Sequence, residues 1–128
     1  MTPERAELIE KIAKDDVRLL CAKDASYGES WRKRGGVGAF MVTARKWDRI
    51  EQAAALAGYD IFAAARVRFA DGEDLLTELC DLRCYLLLVE SEIRMQQPAL
   101  PRPAPPPNIE VREGVQPTSP FSTGRTPP

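Results

Sequence analysis

The sequence predicts an all-α fold, an antiparallel bundle of about four helices with a Pro-rich C-terminal tail. Apolar residues recur at helical spacing in three long segments, and no segment alternates between apolar and polar residues as a strand would. Every proline except Pro3 lies at or beyond Pro98. We therefore expect one helical domain over residues 1–97 and a disordered tail over residues 98–128.

The first two helices have recognisable starts and ends. The first is predicted over about residues 3–22, because Thr2 is a suitable N-cap and Pro3 suits the first turn. A polar link with three glycines covers residues 23–36, and the second helix is predicted over about residues 37–57, before a glycine. Two long helices joined by a flexible link are typical of a helical bundle.

Periodicity assigns a buried face to the second helix. Five apolar residues mark it: Phe40, Ala44, Trp47, Ile50 and Ala54. On the same helical wheel Glu51 lies close to the centre of this face and Asp48 lies on its edge. Lys46 and Arg49 point more outward. The pattern therefore predicts two acids that face the core of the bundle.

A short third helix is predicted over residues 59–70, and a fourth from Glu73 to about Met95. The fourth helix is the most apolar, yet it carries Glu78 and Asp81 on one stripe. A buried carboxylate is costly unless it is paired, protonated or bound to a cation. Salt bridges to Arg or Lys of a neighbouring helix therefore remain an alternative to a metal site.

Acids from three predicted helices are expected to meet in the core. They are Asp16, Glu51, Glu78 and Asp81, with Asp48 close by. For Asp16 the alternative is an acid at the rim of the core that is paired with a base. Carboxylates that project into a bundle core often hold metal ions, and Mg²⁺ prefers a few carboxylates together with waters and phosphate oxygens. We expect Glu78 and Asp81 to be Mg²⁺ ligands, and Asp48 and Glu51 to be catalytic, as further ligands or as the base that orients water.

Basic and aromatic residues suggest how a nucleotide would be held. Lys33 and Arg34 open the second helix and, with Lys46 and Arg49, are candidate phosphate contacts. Tyr27 and Trp31 flank this basic segment and are candidate base contacts by stacking. A solvated basic loop, and aromatic rings packed on the end of the bundle, are the alternatives.

Composition excludes several classes of function. The chain has no histidine, which excludes histidine triads and histidine metal sites. Cys21, Cys80 and Cys84 lack zinc-site spacing, and their odd number, with no signal peptide or membrane span, predicts a reducing cytoplasm. The formal net charge of −1 makes duplex DNA an unfavourable partner.

Three segments resemble the first nucleotide-modification-associated domain family, which occurs in bacteriophages and prophages. They are Lys23–Trp31 (KDASYGESW), Lys46–Ile50 (KWDRI) and Glu78–Tyr85 (ELCDLRCY). A wider similarity is to the all-helical nucleoside triphosphate pyrophosphohydrolases of the MazG type. Glu78-x-x-Asp81 matches their second acidic block, whereas Asp48-x-x-Glu51 is the nearest substitute for their first. The resemblance implies a role in nucleotide processing.

These observations lead to two functional hypotheses. The first is a phage-type nucleotide-processing protein that binds a deoxynucleotide phosphate with Mg²⁺ and hydrolyses a phosphoanhydride bond in support of DNA base modification. The second is a non-catalytic helical interaction module in a phage modification or assembly complex, with the Pro-rich tail as a linker or ligand. A homo-oligomer is compatible with either, since small bundles often complete their cores by dimerising.

Overall fold

In the computed structural model, which describes residues 1–99 and 104–105, the chain is an all-α helical bundle, as predicted. The described residues form four α-helices and one 3₁₀ turn: α1 (Pro3–Tyr27), the 3₁₀ turn (Ser30–Arg32), α2 (Gly35–Leu56), α3 (Ile61–Ala64) and α4 (Leu75–Gln96). Apart from residues 98, 99, 104 and 105, the tail predicted over 98–128 lies outside the described residues. None of the described helices is long and apolar enough to cross a membrane.

Side-chain caps explain where three of these helices begin. Thr2 Oγ1 accepts a hydrogen bond from the backbone N–H of the third helical residue of α1 at 3.3 Å. Asp60 accepts from two backbone N–H groups of α3, and Asp74 Oδ1 accepts from the Thr77 N–H of α4 at 2.9 Å. Each cap satisfies N–H groups that the helix itself leaves without partners.

The helix ends differ from the prediction in two places. α1 continues five residues beyond residue 22 and ends at Gly28, whose φ of 59° no L side chain adopts readily. α3 is only four residues long, because the chain that follows it folds back on itself. There the N–H of Phe69 donates to the Glu73 carbonyl at 3.1 Å, and an isolated antiparallel bridge joins Arg68 to Asp74.

The core is small and lies mainly between α2 and α4. Its fully enclosed apolar residues are Ile50 and Ala53 of α2, Ala64 of α3 and Leu75 of α4. α2 packs more extensively on α4 than α1 does. Few large side chains are therefore enclosed, and much apolar surface remains in contact with solvent.

The predicted buried face of α2 is wrong by roughly a quarter of a turn. Of the five residues predicted to face the core, Ile50 is buried, as predicted, but Phe40 and Trp47 are 69% and 54% exposed. Ala39 and Ala53, which were not predicted to face the core, are buried. α2 has two apolar stripes, and the one with the larger residues faces solvent. The opposite stripe carries Lys46 and Arg49, which lie against the acids of α4. In this orientation of α2 the two bases pair with the buried acids of α4, which would otherwise be left uncompensated.

This rotation also corrects the position of the two acids of α2. Asp48 and Glu51 were expected to face the core, and both are exposed. Lys46 and Arg49 were expected to point outward, and both are partly buried. The quarter-turn difference is therefore enough to bring the two bases toward α4 and to turn the two acids outward.

Candidate functional site

Glu78 is the most deeply buried charged side chain of the described residues, with 0% of its surface exposed. Arg49 Nε donates to its Oε1 at 2.6 Å, and Lys46 Nζ lies 3.5 Å from its Oε2. That second oxygen has no hydrogen-bond partner. A buried carboxylate oxygen without a partner is unusual, because burial without hydrogen bonding is costly.

Asp81 lies one helical turn further along α4 and is held between two lysines. Lys46 Nζ is 2.8 Å from its Oδ2, and Lys23 Nζ of α1 is 3.3 Å from its Oδ1. Burial alone would raise the pKa of Asp81, but the hydrogen bonds and charges of the two lysines outweigh it and hold this pKa below the ordinary value. Asp81 is therefore ionised at neutral pH and joins α1, α2 and α4.

Arg49 extends the charged group toward the loop before α4. Its Nη2 donates to Asp71 at 2.8 Å and to Glu73 at 3.2 Å, and its guanidinium carbon lies 4.9 Å from the ring centroid of Phe69. The neighbouring carboxyl of Glu78 and partial burial raise the pKa of Glu73 above its ordinary value. The Arg49 side chain thus ties the loop to the buried acid.

We call this group the ion cluster; its members are Lys23, Lys46, Arg49, Asp71, Glu73, Glu78 and Asp81. Three of its side chains are cations and four are carboxylates. With all carboxylates ionised the cluster carries one uncompensated negative charge, and each of its four acids is paired with at least one of the three bases. The acids are therefore neutralised by bases, the alternative that the sequence left open.

A cleft of about 250 Å³ opens beside the Asp81 end of the ion cluster. It lies between α1, the 3₁₀ turn and α4, and the residues that line it are Leu20, Lys23, Asp24, Gly28, Ser30, Trp31, Asp81, Cys84, Tyr85 and Leu88. Two of them are aromatic, and the salt bridge between Lys23 and Asp81 forms a polar wall. The cleft therefore combines apolar surface with charged groups, as ligand sites do.

A salt bridge positions the aromatic wall of the cleft. Arg32 Nη1 donates to Glu92 of α4 at 2.6 Å, which ties the 3₁₀ turn to the last turns of α4. Trp31, the neighbour of Arg32, is partly buried and lines the cleft opposite the helix that carries Tyr85. Two rings from different elements are thereby held on the same cavity.

A second buried ion pair lies between α1 and α4. Asp16 does not join the acidic group of the core but is paired with a base, which was the alternative: it accepts two hydrogen bonds from Arg83, at 2.7 Å and 3.0 Å. Cys80 Sγ is 3.5 Å from the same carboxylate, and Cys84 lies close by. The bonds from Arg83 lower the pKa of Asp16 despite its burial. This pair compensates the charge of Asp16 and fastens α1 to α4.

The structure brings together only some of the residues that the sequence singled out. Glu78, Asp81, Lys46 and Arg49 meet in the ion cluster, and Trp31 lines the adjoining cleft. The other predicted residues lie elsewhere: Asp48, Glu51, Lys33 and Arg34 are exposed and do not line the cleft, and the side chain of Tyr27 lies outside the described part of the structure.

Two cleft residues were missed as functional candidates although the sequence contained a signal for them. Lys23 begins the first segment that resembles the nucleotide-modification family, and Tyr85 ends the third. Lys23 follows Asp16 by two helical turns, so both lie on the face of α1 that packs on α4. The periodicity of α1 and the ends of these two segments together point to this cleft.

Comparison with protein-family models, with curated proteins and with solved structures found no match for this chain.

Proposed function

We propose that the protein binds a deoxynucleotide phosphate, with Mg²⁺, in the cleft between α1, the 3₁₀ turn and α4. The observation that carries the proposal is the combination of two aromatic rings, Trp31 and Tyr85, with the charged wall formed by Lys23 and Asp81. All four residues belong to the segments that resemble the nucleotide-modification family. The proposed role is therefore to bind a nucleotide in support of DNA base modification.

The aromatic rings of the cleft suit the base of a nucleotide, and its charged wall suits the phosphates. Aromatic side chains stack on bases, and each such contact is worth about 1–3 kcal/mol. Ammonium groups bind phosphate as point charges, and the ammonium of Lys23 is at the cleft with that of Lys46 behind it on Asp81. We place the base between Trp31 and Tyr85 and the phosphates at the two lysines.

Mg²⁺ fits this arrangement only together with the phosphates. Both oxygens of Asp81 are within salt-bridge distance of lysines, so a cation alone would have to compete with two ammonium groups. When the lysines turn to phosphate oxygens, Asp81, which lines the cleft, becomes an acceptor for a hard cation. Glu78, the other acid predicted to hold Mg²⁺, is fully buried and does not line the cleft. The bound ion would supply charge neutralisation of the phosphates.

The proposal is limited to binding, because the two acids assigned to catalysis are not at the cleft. Asp48 and Glu51 lie on the exposed face of α2, opposite Lys46. Hydrolysis of a phosphoanhydride bond stays a prediction from the resemblance. It would require a base other than these two residues.

Isothermal titration calorimetry tests the proposal directly. Each of the four deoxynucleoside triphosphates is titrated into the full chain, once with Mg²⁺ and once with a chelator. We expect saturable binding of at least one nucleotide that weakens when Mg²⁺ is removed. No saturable binding of any of the four under either condition would refute the proposal.

Two variants locate the site within the molecule. Lys23→Met removes a cation at the cleft and is expected to weaken binding by about tenfold or more, the value of a hydrogen bond to a charged group. Lys33→Met is the matched control, because it removes the same charge from an exposed position that does not line the cleft. Equal effects of the two substitutions would contradict the assignment of the cleft.

A further inference from the structure

The outer face of α2 exposes a continuous stripe of large apolar residues. Val37, Phe40, Met41 and Trp47 are 78%, 69%, 58% and 54% exposed, respectively. Helical spacing places them on one side of the first three and a half turns of α2, with Ala44 between them. We call this surface the outer stripe. Monomeric proteins rarely leave such a contiguous apolar patch in water.

Charged side chains of opposite sign flank the outer stripe. Lys33 and Arg34 lie just before its N-terminal end, and Asp48 and Glu51 lie at its C-terminal end. In the described residues the side chains of these four form no ion pair or hydrogen bond. Their charges are therefore free to be compensated by another molecule, and neither the ion cluster nor the proposed nucleotide site uses them.

This pattern is complementary to itself. If two copies of α2 are placed antiparallel with residue 42 at the centre, Val37 of one copy lies opposite Trp47 of the other, and Phe40 lies opposite the small Ala44. The same register sets the basic end of each helix against the acidic end of its partner, with Lys33 opposite Glu51. A surface that pairs with itself in this way is the signature of a twofold interface.

The apolar area is adequate for such an interface. The exposed fractions of the four residues, applied to side chains of about 150–250 Å² each, give roughly 500 Å². A specific interface needs about 1,000 Å² in total, and hence about 500 Å² from each partner. The small core between α2 and α4 would gain a second apolar layer on the other side of α2.

We infer that the outer stripe binds a second copy of this chain, with the two α2 helices antiparallel about a twofold axis. We choose a second copy as the binding partner for two reasons. The basic and acidic ends of the outer stripe become complementary when two copies are antiparallel. The same arrangement sets the large Phe40 of each copy opposite the small Ala44 of the other. The stripe lies on the side of α2 opposite Lys46, so the cleft stays open in the dimer. The inference is independent of the proposed function.

Light scattering coupled to size-exclusion chromatography measures the molar mass, and hence the oligomeric state, of the full chain. We expect a particle of twice the chain mass of 14.2 kDa at micromolar concentration. Phe40→Asp and Trp47→Glu are expected to give the 14.2 kDa monomer with unchanged helical circular dichroism, because both side chains are already exposed in the single chain. Leu76→Asp is the matched control, since Leu76 is equally exposed, at 69%, but lies on α4.

A charge exchange then tests the antiparallel register. Lys33→Glu and Glu51→Lys should each weaken dimerisation, by about tenfold at low salt for two symmetric contacts. The double variant restores opposite charges at both contacts and should dimerise like the original chain. A monomer up to about 100 μM, a dimer unaffected by Phe40→Asp and Trp47→Glu, or a double variant as weak as the single ones would overturn the inference.

Discussion

Replacement of Lys46 by methionine tests the claim that bases compensate the buried acids. Lys46 is the side chain shared by both α4 acids, with its ammonium 3.5 Å from Glu78 and 2.8 Å from Asp81. Its side chain is only 20% exposed, so methionine keeps most of the apolar contact of its stem. The substitution therefore removes the charge while the packing changes little.

The loss of unfolding free energy expected for Lys46→Met depends on the partners that Glu78 and Asp81 retain. Breaking a buried pair by removing one partner costs about 3–5 kcal/mol when the remaining charge is left uncompensated. Here Glu78 keeps Arg49 and Asp81 keeps Lys23. We therefore expect about half of that cost, roughly 2 kcal/mol, or a fall in melting temperature of about 8–16 °C for a domain of this size.

Urea denaturation followed by circular dichroism at 222 nm, at fixed protein concentration, gives the free energy of unfolding. Lys11→Met is the matched control, since Lys11 pairs with Asp15 on the solvent face of α1 and is 71% exposed; its cost should stay within about 0.5 kcal/mol. In a Glu78→Gln background, Lys46→Met should cost less than in the original chain. A cost equal to that of Lys11→Met would refute the reasoning.

Three further predictions concern single side chains. Because a neighbouring carboxyl and burial raise the pKa of Glu73, its contribution to folding is greatest below its unfolded pKa and declines as pH rises through the folded value. The melting temperature of the original chain relative to that of Glu73→Gln should therefore fall as pH rises from about 4 to 7, and a difference that does not change with pH would contradict this. Arg83→Met leaves Asp16 buried without its partner and should lower the free energy of unfolding by about 2 kcal/mol. Arg83→Lys should recover part of this loss, and equal stability of the original chain and both variants would count against the ion pair. Burial raises the pKa of Cys84 to about 11, so at pH 8 a maleimide should label the exposed Cys21 quickly and Cys84 only after unfolding. Mass spectrometry of the labelled peptides measures the two rates, and rapid labelling of both cysteines would contradict the prediction.

The fold class could be predicted because each helix carries its signals locally. Thr2 and Pro3 set the start of α1, and the placement of all other prolines from Pro98 onward leaves helices possible over the first 97 residues. The acids of α4 were also found correctly as a group within an apolar helix, since their spacing of three residues fixes them on one face. These features depend on neighbours in the chain and need no knowledge of packing.

The orientation of α2 could not be predicted, because it depends on charges of another helix. Both stripes of α2 contain apolar residues, and a helical wheel ranks the one with Phe40 and Trp47 higher. The structure buries the other stripe, where Lys46 and Arg49 meet the α4 acids. A helical wheel of α2 contains no information about the acids of α4, and the orientation that pairs the charges leaves the outer stripe exposed.

The cleft was only partly predictable for a similar reason. Trp31 was predicted to contact a base from its place beside the basic segment, and the structure shows that it lines the cleft. The charges beside it come from distant positions, because Lys23 of α1 and Asp81 of α4 meet only in the folded chain. The sequence could not show that these two charges lie beside Trp31, because they do so only when α1 packs on α4.

The two tryptophans allow the most direct test of nucleotide binding in the cleft. Trp31 lines the cleft, whereas Trp47 lies on the outer stripe of α2, so their two indole N–H signals in a ¹⁵N-labelled sample report on different faces of the protein. On titration with a deoxynucleoside triphosphate and Mg²⁺, we expect the Trp31 signal to shift in a saturable manner and the Trp47 signal to stay in place. A saturable shift of Trp47 alone, or no shift of either signal, would contradict nucleotide binding in the cleft.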